Sequence, residues 1–224
     1  MFNPRQFVLW GSAGHAKVLA ELIVLKGGKV IAIFDNSSVP SALKDVPMYV
    51  GKEGFHSWVE SQGGDIGEIA GLVAIGGNRG HDRLAIQDVF HRYGLNVPTI
   101  CHPNAVVSQT AQLGFGTQVL ALANIAADAQ LGRACIVNHR ASVDHECKLG
   151  NGVHLAPGAT LCGCVSESDN VFIGAGAIIL PRLTIGANSI IGAGAVVTKN
   201  VSKGEVVIGN PARPLKINHI SVDQ

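Results

Sequence analysis

The second half of the chain repeats with a period of six residues. Steps of six from Val107 to Val197 reach an aliphatic residue every time except at Glu167, and small side chains recur four residues further on. A helix needs apolar residues about every 3.6 positions and a strand needs them at every second position, so a six-residue period predicts neither alone. It predicts a solenoid in which short parallel strands, each about one hexad long, turn through corners and bury the aliphatic residue. The aliphatic series is Val107, Leu113, Val119, Ile125, Leu131, Val137, Val143, Leu149, Leu155, Leu161, Ile173, Ile179, Ile185, Ile191 and Val197.

Glu167 interrupts this series. The repeat directs its carboxylate into an apolar corner, where an unpaired charge is strongly unfavourable. We therefore expect the turn VSESDN, at positions 165–170, to be distorted so that Glu167 reaches water or a hydrogen-bond partner.

The first hundred residues have a different pattern. The stretch FVLWGSAGHAKVLAELIVLKGGKVIAIFDNS predicts a strand, a glycine-rich turn, a helix that stops at Gly27 and Gly28, and a second strand that ends at Asp35. A second strand and helix follow, the strand ending at Gly76 and Gly77 and the helix closing at Gly94. Together they predict an α/β, Rossmann-like βαβ domain over residues 1–103, followed by a β-helix over residues 104–224.

The turns that follow these strands are candidate binding loops. Backbone amides at a strand-to-helix turn can hold a phosphate, and Asp35 has the position at which a carboxylate binds a ribose hydroxyl. GSAGH lacks the full GxGxxG fingerprint of a dinucleotide site, so a plain tight turn remains an alternative. The candidate substrate-binding residues here are Gly11, Ser12, Ala13, Gly14, His15, Asp35, Asn36, Gly76, Gly77 and Asn78.

Charge and cysteine usage exclude several classes of protein. The formal net charge is +1, and no run of Lys and Arg gives the electrostatic footprint of a protein that binds nucleic acid or an anionic membrane. Apolar runs are too short for a signal peptide or a membrane span, so we expect a cytoplasmic protein without membrane insertion. The five cysteines are odd in number and lack CxxC spacing, which favours reduced thiols that pack as small residues.

Several short motifs together resemble one family. GSAGHAKV, FDN and AIGGNR in the first domain, ICHPNAVVS at the junction, and DHEC and GNPAR in the repeats are similar to those of the hexapeptide-repeat sugar acyltransferases. This family contains the bacillosamine and perosamine N-acetyltransferases and the sialic acid O-acetyltransferases. The resemblance implies a left-handed parallel β-helix, a nucleotide-sugar-binding N-terminal domain, acetyl-CoA as co-substrate, and a homotrimer with active sites between adjacent β-helices.

The resemblance also assigns the catalytic residues. His145 matches the general base and Glu146 its acidic neighbour. Acetyl transfer to an amine needs a neutral nucleophile and an acceptor for its proton, and histidine accepts protons near neutral pH. A nearby carboxylate favours the imidazolium and orients the ring. We therefore expect N-acetylation of the 4-amino group of a nucleotide-linked amino-dideoxy sugar, for surface glycan or glycoprotein biosynthesis.

Further residues match positions that bind substrate or cofactor in the family. Asn138 matches a polar position that lines the active site, and His154 a position that contacts acetyl-CoA. The two IGAG turns, at Gly174 and Ala175 and at Gly192 and Ala193, are expected to let the pantetheine arm lie close to the backbone. Arg213 and Lys216 are expected to meet the CoA phosphates. No metal site is expected.

Three alternatives stay open. The first is an O-acetyltransferase of a sialic-acid-type sugar, which would use the same base. The second is a zinc-dependent, carbonic anhydrase-like protein whose metal is bound by His139, His145 and His154. The third is a non-catalytic scaffold that binds a sugar nucleotide.

Overall fold

The N-terminal part of the chain is a four-stranded parallel sheet between helices. The computed structural model describes residues 5–63 and 66–215, and Lys216 lies outside them. The strands are β1 Gln6–Trp10, β2 Lys29–Asp35, β3 Met48–Val50 and β4 Ile69–Val73, and the helices are α1 Gly14–Leu25, α2 Gly51–Ser61 and α3 Gly80–Arg92. The strand order is β3-β2-β1-β4, with every pair parallel.

The first predicted βαβ unit agrees closely with the structure. Helix α1 ends at Leu25, just before the two glycines, and β2 ends at Asp35. The next predicted strand ends earlier than expected, at Val73 instead of Gly76. Strand β3 and helix α2 were not predicted, because a strand of three residues is too short to show a periodic pattern.

Apolar side chains cover both faces of this sheet. Trp10 and Phe34 of the strands pack against Phe55 of α2 and Phe90 of α3, with ring centroids 4.9–6.1 Å apart. Helix α1 packs on the opposite face through a separate cluster that includes Leu19. The sheet is therefore buried on both faces, as parallel sheets usually are.

From Ile100 onward the chain forms a parallel β-helix with three faces. The first face contains β7 Gln112–Leu113, β10 Gln130–Leu131, β13 Lys148–Leu149, β16 Ser166–Glu167 and β19 Thr184–Ile185. The second contains β6 Val106–Val107, β9 Asn124–Ile125, β12 Ser142–Val143, β15 Thr160–Leu161, β18 Ile178–Ile179 and β21 Val196–Val197. The third contains β5 Ile100–Cys101, β8 Gln118–Val119, β11 Ile136–Val137, β14 His154–Leu155, β17 Phe172–Ile173, β20 Ile190–Ile191, β22 Val206–Ile208 and the antiparallel β23 Arg213–Pro214.

The register of these strands explains the six-residue period. Ile136 pairs with Gln118 in the coil before it and with His154 in the coil after it, so three hexads complete one coil of 18 residues. Two residues of each hexad pair as a strand and the other four form the corner, so the strands are shorter than predicted. The aliphatic series is buried from Val119 to Val197, which confirms the predicted core.

Glu167 contradicts the expectation of a distorted turn. It pairs in regular register between Leu149 and Ile185, is 5 % exposed, and neither of its carboxylate oxygens has a hydrogen-bond partner. Parallel pairing with the strands of the neighbouring coils keeps the backbone of Glu167 regular, so its side chain stays in the core. Burial raises the pKa of Glu167 to about 8, which keeps most of the carboxyl protonated at neutral pH.

Buried polar contacts join the sheet to the β-helix. Arg83 of α3, which is 1 % exposed, donates to the carbonyl oxygens of Ile75 and Gly77 on one side and of Ala134 and Gly152 on the other. Its guanidinium therefore ties the loop after β4 to two corners of the β-helix. The first strand of the β-helix, β5, lies just before the predicted boundary at residues 103 and 104, which stays a prediction.

Candidate active site

His145 and Glu146 lie on an exposed corner between β12 and β13. The Asp144 carboxylate accepts the backbone N–H of His145 at 2.7 Å, and Glu146 has a left-handed backbone with φ of 57°. This turn brings His145 Nδ1 to 3.0 Å from Glu146 Oε2. The two side chains are 52 % and 63 % exposed, so the imidazole is open to a substrate.

The contact determines which ring nitrogen can act as a base. An ionised carboxylate only accepts hydrogen bonds, so His145 Nδ1 carries the proton and Nε2 keeps its lone pair. The hydrogen bond from His145 lowers the pKa of the Glu146 carboxyl, with a further contribution from the Cys164 thiol. Glu146 is therefore ionised at neutral pH and accepts the hydrogen bond from His145 Nδ1.

The next coil lies directly against this pair. Gly163 stands 18 residues after His145, and a Cβ at Gly163 would lie 2.5 Å from His145 Nε2. Cys164 follows, with its Sγ 3.6 Å from Glu146 Oε2. The absence of a side chain at Gly163 therefore lets the ring of His145 lie close to the backbone of the next coil.

A second group of histidines lies where the sheet meets the β-helix. His154 is 5 % exposed, with Nδ1 3.2 Å from Gly77 O and Nε2 3.3 Å from Asn138 Nδ2. A carbonyl only accepts, so Nδ1 donates to Gly77 and Nε2 accepts from Asn138, whose Oδ1 accepts from His139 at 2.8 Å. Burial, with the nearby Arg83 cation, lowers the pKa of His154 to about 3, so the ring is neutral.

His15 continues this polar layer at the start of α1. Its Nε2 lies 2.7 Å from Gln118 Oε1, and Gln118 Nε2 donates to Val73 O at 2.8 Å. Burial lowers the pKa of His15, and the hydrogen bond to Gln118 opposes that shift. Gln118 therefore links the predicted substrate loop to the β-helix.

The glycine-rich turn after β1 is held by the end of β2. Gly11 has φ of 114°, and a Cβ there would lie 2.5 Å from Ala74 O, so only glycine fits. Asp35 accepts the backbone N–H of Ser12 at 2.8 Å and that of Ser37 at 3.0 Å. Asp35 therefore shapes this turn whether or not it also meets a ligand.

The remaining candidates of the first domain lie around the same edge of the sheet. Ala13 precedes α1 and makes no side-chain cap, and Gly14 is its first residue. Gly76 faces His154, with 3.6 Å between the position of its absent Cβ and the ring. Asn36 and Asn78 are exposed in the loops after β2 and β4. All these residues follow the carboxyl ends of parallel strands, where ligands of open α/β sheets bind.

The predicted cofactor turns stack on one another. A Cβ on Gly174 would lie 2.5 Å from the backbone N of Ala193, so the turn containing Gly174 and Ala175 contacts the turn containing Gly192 and Ala193 one coil later. Both alanines are exposed. The structure thus brings the four residues together as a strip of small side chains along one corner.

Arg213 lies in the last strand, beside that strip. It pairs with Ile208, whose side chain would lie 2.7 Å from a Cβ on Gly192. It lines a cavity of about 310 Å³ together with Lys199 and Asn200. Two cations at one cavity suit an anionic group, and the carboxylate of Glu205 lines the same cavity.

The three histidines of the proposed zinc alternative do not converge. His154 is buried with both ring nitrogens engaged by Gly77 and Asn138, while His145 faces Glu146. Within residues 5–63 and 66–215, the one group of three metal-type donors consists of His145, Glu146 and Cys164.

Among the helices in residues 5–63 and 66–215, none has the length and apolar character that a membrane span requires.

Three residues that shape the site were missed in the sequence. Gly163 could have been found by adding one coil of 18 residues to His145. Arg83 and Gln118 gave no such signal, since their role depends on how the sheet docks on the β-helix.

Comparison with known proteins agrees with this architecture. The family described as bacterial transferase hexapeptide (six repeats) matches residues 168–199, which gives the class as hexapeptide-repeat transferase. The acetyltransferase domain of PglB from Neisseria gonorrhoeae, solved with acetyl coenzyme A, is 33 % identical, with a TM-score of 0.83 over 95 % of this chain and 100 % of that one. PerB from Caulobacter crescentus, solved with CoA and GDP-perosamine, is 36 % identical, with a TM-score of 0.84 over 94 % and 97 %.

A curated relative points the same way over a shorter span. GDP-perosamine N-acetyltransferase of Escherichia coli O157:H7 is 39 % identical over 98 residues, which are 44 % of this chain and 43 % of that enzyme. The chain belongs to the hexapeptide-repeat transferase family that contains these sugar acetyltransferases. This confirms the predicted family and its left-handed parallel β-helix.

Proposed function

We propose that the protein transfers the acetyl group of acetyl-CoA to the 4-amino group of a nucleotide-linked amino-dideoxy sugar, for surface glycan or glycoprotein biosynthesis. The observation that carries this proposal is the exposed pair of His145 Nδ1 and Glu146 Oε2, 3.0 Å apart, on a fold shared with enzymes solved with CoA and GDP-perosamine. Relatives named for N-acetylation favour the amine over the sialic-acid hydroxyl as acceptor.

In the proposed reaction His145 is the general base. Nε2 accepts a proton from the sugar amine while the amine nitrogen attacks the thioester carbonyl. The new C–N bond forms, the C–S bond breaks, and the CoA thiolate takes up the proton as the base is restored. Glu146 accepts a hydrogen bond from Nδ1–H throughout the reaction. This contact holds the tautomer of His145 and stabilises the transient imidazolium.

The N-terminal domain, residues 1–103 in the predicted division, is proposed to bind the nucleotide. Its strand order of β3-β2-β1-β4 matches the first four strands of the 3-2-1-4-5-6 order of doubly wound sheets, which supports this proposal. The uncapped start of α1 offers backbone N–H groups for a phosphate, and Asp35 lies at the carboxyl end of the adjacent strand. Ser12 to His15, Asn36 and the loop 76–78 surround the same edge.

Acetyl-CoA is proposed to lie along the β-helix of residues 104–224. The strip at Gly174, Ala175, Gly192 and Ala193 lets an extended pantetheine arm approach the backbone. His154 and Asn138 supply polar groups where the sheet meets the β-helix. Arg213, in the last strand, supplies a cation for the CoA phosphates.

We include a homotrimer and a cytoplasmic location in this proposal. Val106 and Ile178, 66 % and 39 % exposed, lie on strands of the same six-stranded face. Exposed aliphatic side chains on one face are favourable to bury between copies, which supports the proposal of an oligomer. Light scattering of the purified chain measures its mass. A cytoplasmic location follows from the supply of acetyl-CoA and nucleotide sugars there.

The experiment that tests the proposed function is a CoA-thiol release assay. Purified protein is given acetyl-CoA and a panel of UDP-, GDP-, dTDP- and CMP-linked sugars, each 4-amino sugar paired with its 4-hydroxy counterpart. We expect release of CoA with 4-amino sugars and none with the matched hydroxy sugars. No release with any amino sugar, or equal release with the hydroxy sugars, would overturn the proposal.

A further inference from the structure

Cys164 adds a third donor to the pair of His145 and Glu146. One donor atom from each of the three side chains lies within 4.8 Å of the other two. His145 Nδ1 is 3.0 Å from Glu146 Oε2, which is 3.6 Å from Cys164 Sγ. Acetyl transfer as proposed above uses the histidine and the carboxylate but has no role for the thiol.

The β-helix itself fixes these donors in place. Glu146 and Cys164 occupy the same corner in successive coils, with left-handed φ values of 57° and 61°. The backbone N–H of Cys164 donates to His145 O at 2.9 Å. Because the ladder of coils holds both corners, the carboxylate and the thiol project side by side without a flexible loop between them.

The donor set matches the preferences of zinc. A nitrogen, an oxygen and a sulfur are its three usual protein ligands, bound at about 2.0 Å for nitrogen and oxygen and about 2.3 Å for sulfur, in a tetrahedron. Donors of such a site stand roughly 3.5 Å apart, close to the separations observed here. Magnesium and calcium take oxygen ligands and do not suit a thiol.

The surrounding charges do not oppose a cation. Asp128 occupies the same corner one coil before Glu146, and Arg182 occupies it one coil after Cys164, so their charges offset one another. With these two charges offset, the carboxylate of Glu146 gives the corner a net negative charge. The exposure of His145 and Glu146 leaves room for the water or exogenous ligand that completes a tetrahedral site.

From these contacts we propose that His145, Glu146 and Cys164 bind a thiophilic divalent cation of the zinc class, and that the bound ion inhibits acetyl transfer. The inhibitory half of this inference rests on the proposed function. The binding half rests on the donor geometry alone.

Inhibition follows from the tautomer of His145. A metal ion on Nδ1 needs the lone pair of that nitrogen, so the ring proton moves to Nε2. Nε2 then has no lone pair to accept the amine proton, and Glu146 is withdrawn from orienting the ring. The thiol proton of Cys164 passes to solvent when its sulfur binds the ion.

Cobalt binding tests the site without any assay of activity. Full-length, reduced, chelator-treated protein is titrated with Co²⁺, and the near-ultraviolet thiolate-to-cobalt absorption is recorded. We expect a band that saturates at one ion per chain, is displaced by Zn²⁺, is lost in Cys164→Ser and is retained in Cys162→Ser. Cys162 is the matched control, since it is a partly exposed thiol on the other side of Gly163. Absence of the band, or its persistence in Cys164→Ser, would overturn the site.

Activity in buffered zinc tests the inhibitory half. We expect Zn²⁺ to stop CoA release by the wild-type chain, a chelator to restore it, and Mg²⁺ to have no effect. Cys164→Ser should need at least about tenfold more Zn²⁺, because loss of even an outer-shell partner weakens a metal site by that factor. Equal zinc sensitivity of both chains refutes the inference. Failure of the proposed function would instead appear as no CoA release in the presence of chelator, with the cobalt band unchanged.

Discussion

Replacement of Glu167 by leucine is expected to stabilise the protein, and to do so more at neutral than at acidic pH. Glu167 is the one position of the hexad series from Val107 to Val197 without an aliphatic side chain, and it lies in register between Leu149 and Ile185. Leucine therefore restores the repeat. It also removes two carboxylate oxygens that have no hydrogen-bond partner.

The magnitude follows from the pKa of Glu167. Burial raises it from an ordinary value of 4.5 to about 8, so the folded state favours the neutral carboxyl. The carboxyl of Glu167 therefore has little effect on the free energy of unfolding below pH 4.5, and it lowers that free energy progressively as the pH rises toward 8. At about 1.4 kcal/mol for each pKa unit, the loss is under ~1 kcal/mol at pH 5, roughly 3 kcal/mol at pH 7 and roughly 5 kcal/mol above pH 8.

Denaturant unfolding followed by circular dichroism measures this effect. Wild type, Glu167→Leu and Glu167→Gln are compared at pH 5, 7 and 8 and at one protein concentration. Neither variant has a carboxyl at position 167, so we expect both to lack the fall in the free energy of unfolding that Glu167 causes between pH 5 and pH 8. We expect the leucine variant to be the more stable of the two, because glutamine keeps unpaired polar atoms in the core. If the free energy of unfolding of Glu167→Gln fell between pH 5 and pH 8 as steeply as that of the wild type, the assignment of a buried neutral carboxyl would be wrong.

Two further substitutions test the geometry of the active site. Gly163→Ala places a methyl group 2.5 Å from His145 Nε2, so we expect kcat to fall roughly tenfold to hundredfold while the KM for acetyl-CoA stays unchanged. Gly67→Ala is the control, since nothing lies near its absent Cβ, and equal activity of the two variants would show that the ring needs no space there. Asp35→Ala removes the acceptor of the Ser12 N–H and the proposed ribose ligand, so the KM for the nucleotide sugar should rise at least about tenfold with little change for acetyl-CoA. The opposite pattern in steady-state kinetics would contradict the assignment of the nucleotide to the first domain.

The β-helix could be predicted because its sequence signal is local and repeated. Each hexad contributes one aliphatic residue to the same interior, so the core from Val119 to Val197 follows from spacing alone. The error at Glu167 has a physical cause. Regular pairing with the neighbouring coils outweighs the desolvation of one carboxyl, which becomes neutral instead of moving to solvent.

Within the candidate active site, the contact between His145 and Glu146 was the easiest to predict. His145 and Glu146 are adjacent, so their contact requires little knowledge of the fold. Gly163 and Cys164 reach the same place through the length of a coil, and Arg83 through the docking of the sheet on the β-helix. The contacts of Gly163 and Cys164 follow from the sequence once the 18-residue coil is counted. The contacts of Arg83 depend on how the sheet packs on the β-helix, which a single sequence does not display.

The base role of His145 is the claim on which the proposed chemistry depends. The most direct test is kcat for CoA release by His145→Ala with a 4-amino nucleotide sugar, together with the Kd for acetyl-CoA by calorimetry. We predict a fall in kcat of at least about a hundredfold, the usual lower bound for loss of a general base, with the Kd for acetyl-CoA little changed. Wild-type kcat in this variant would contradict the account.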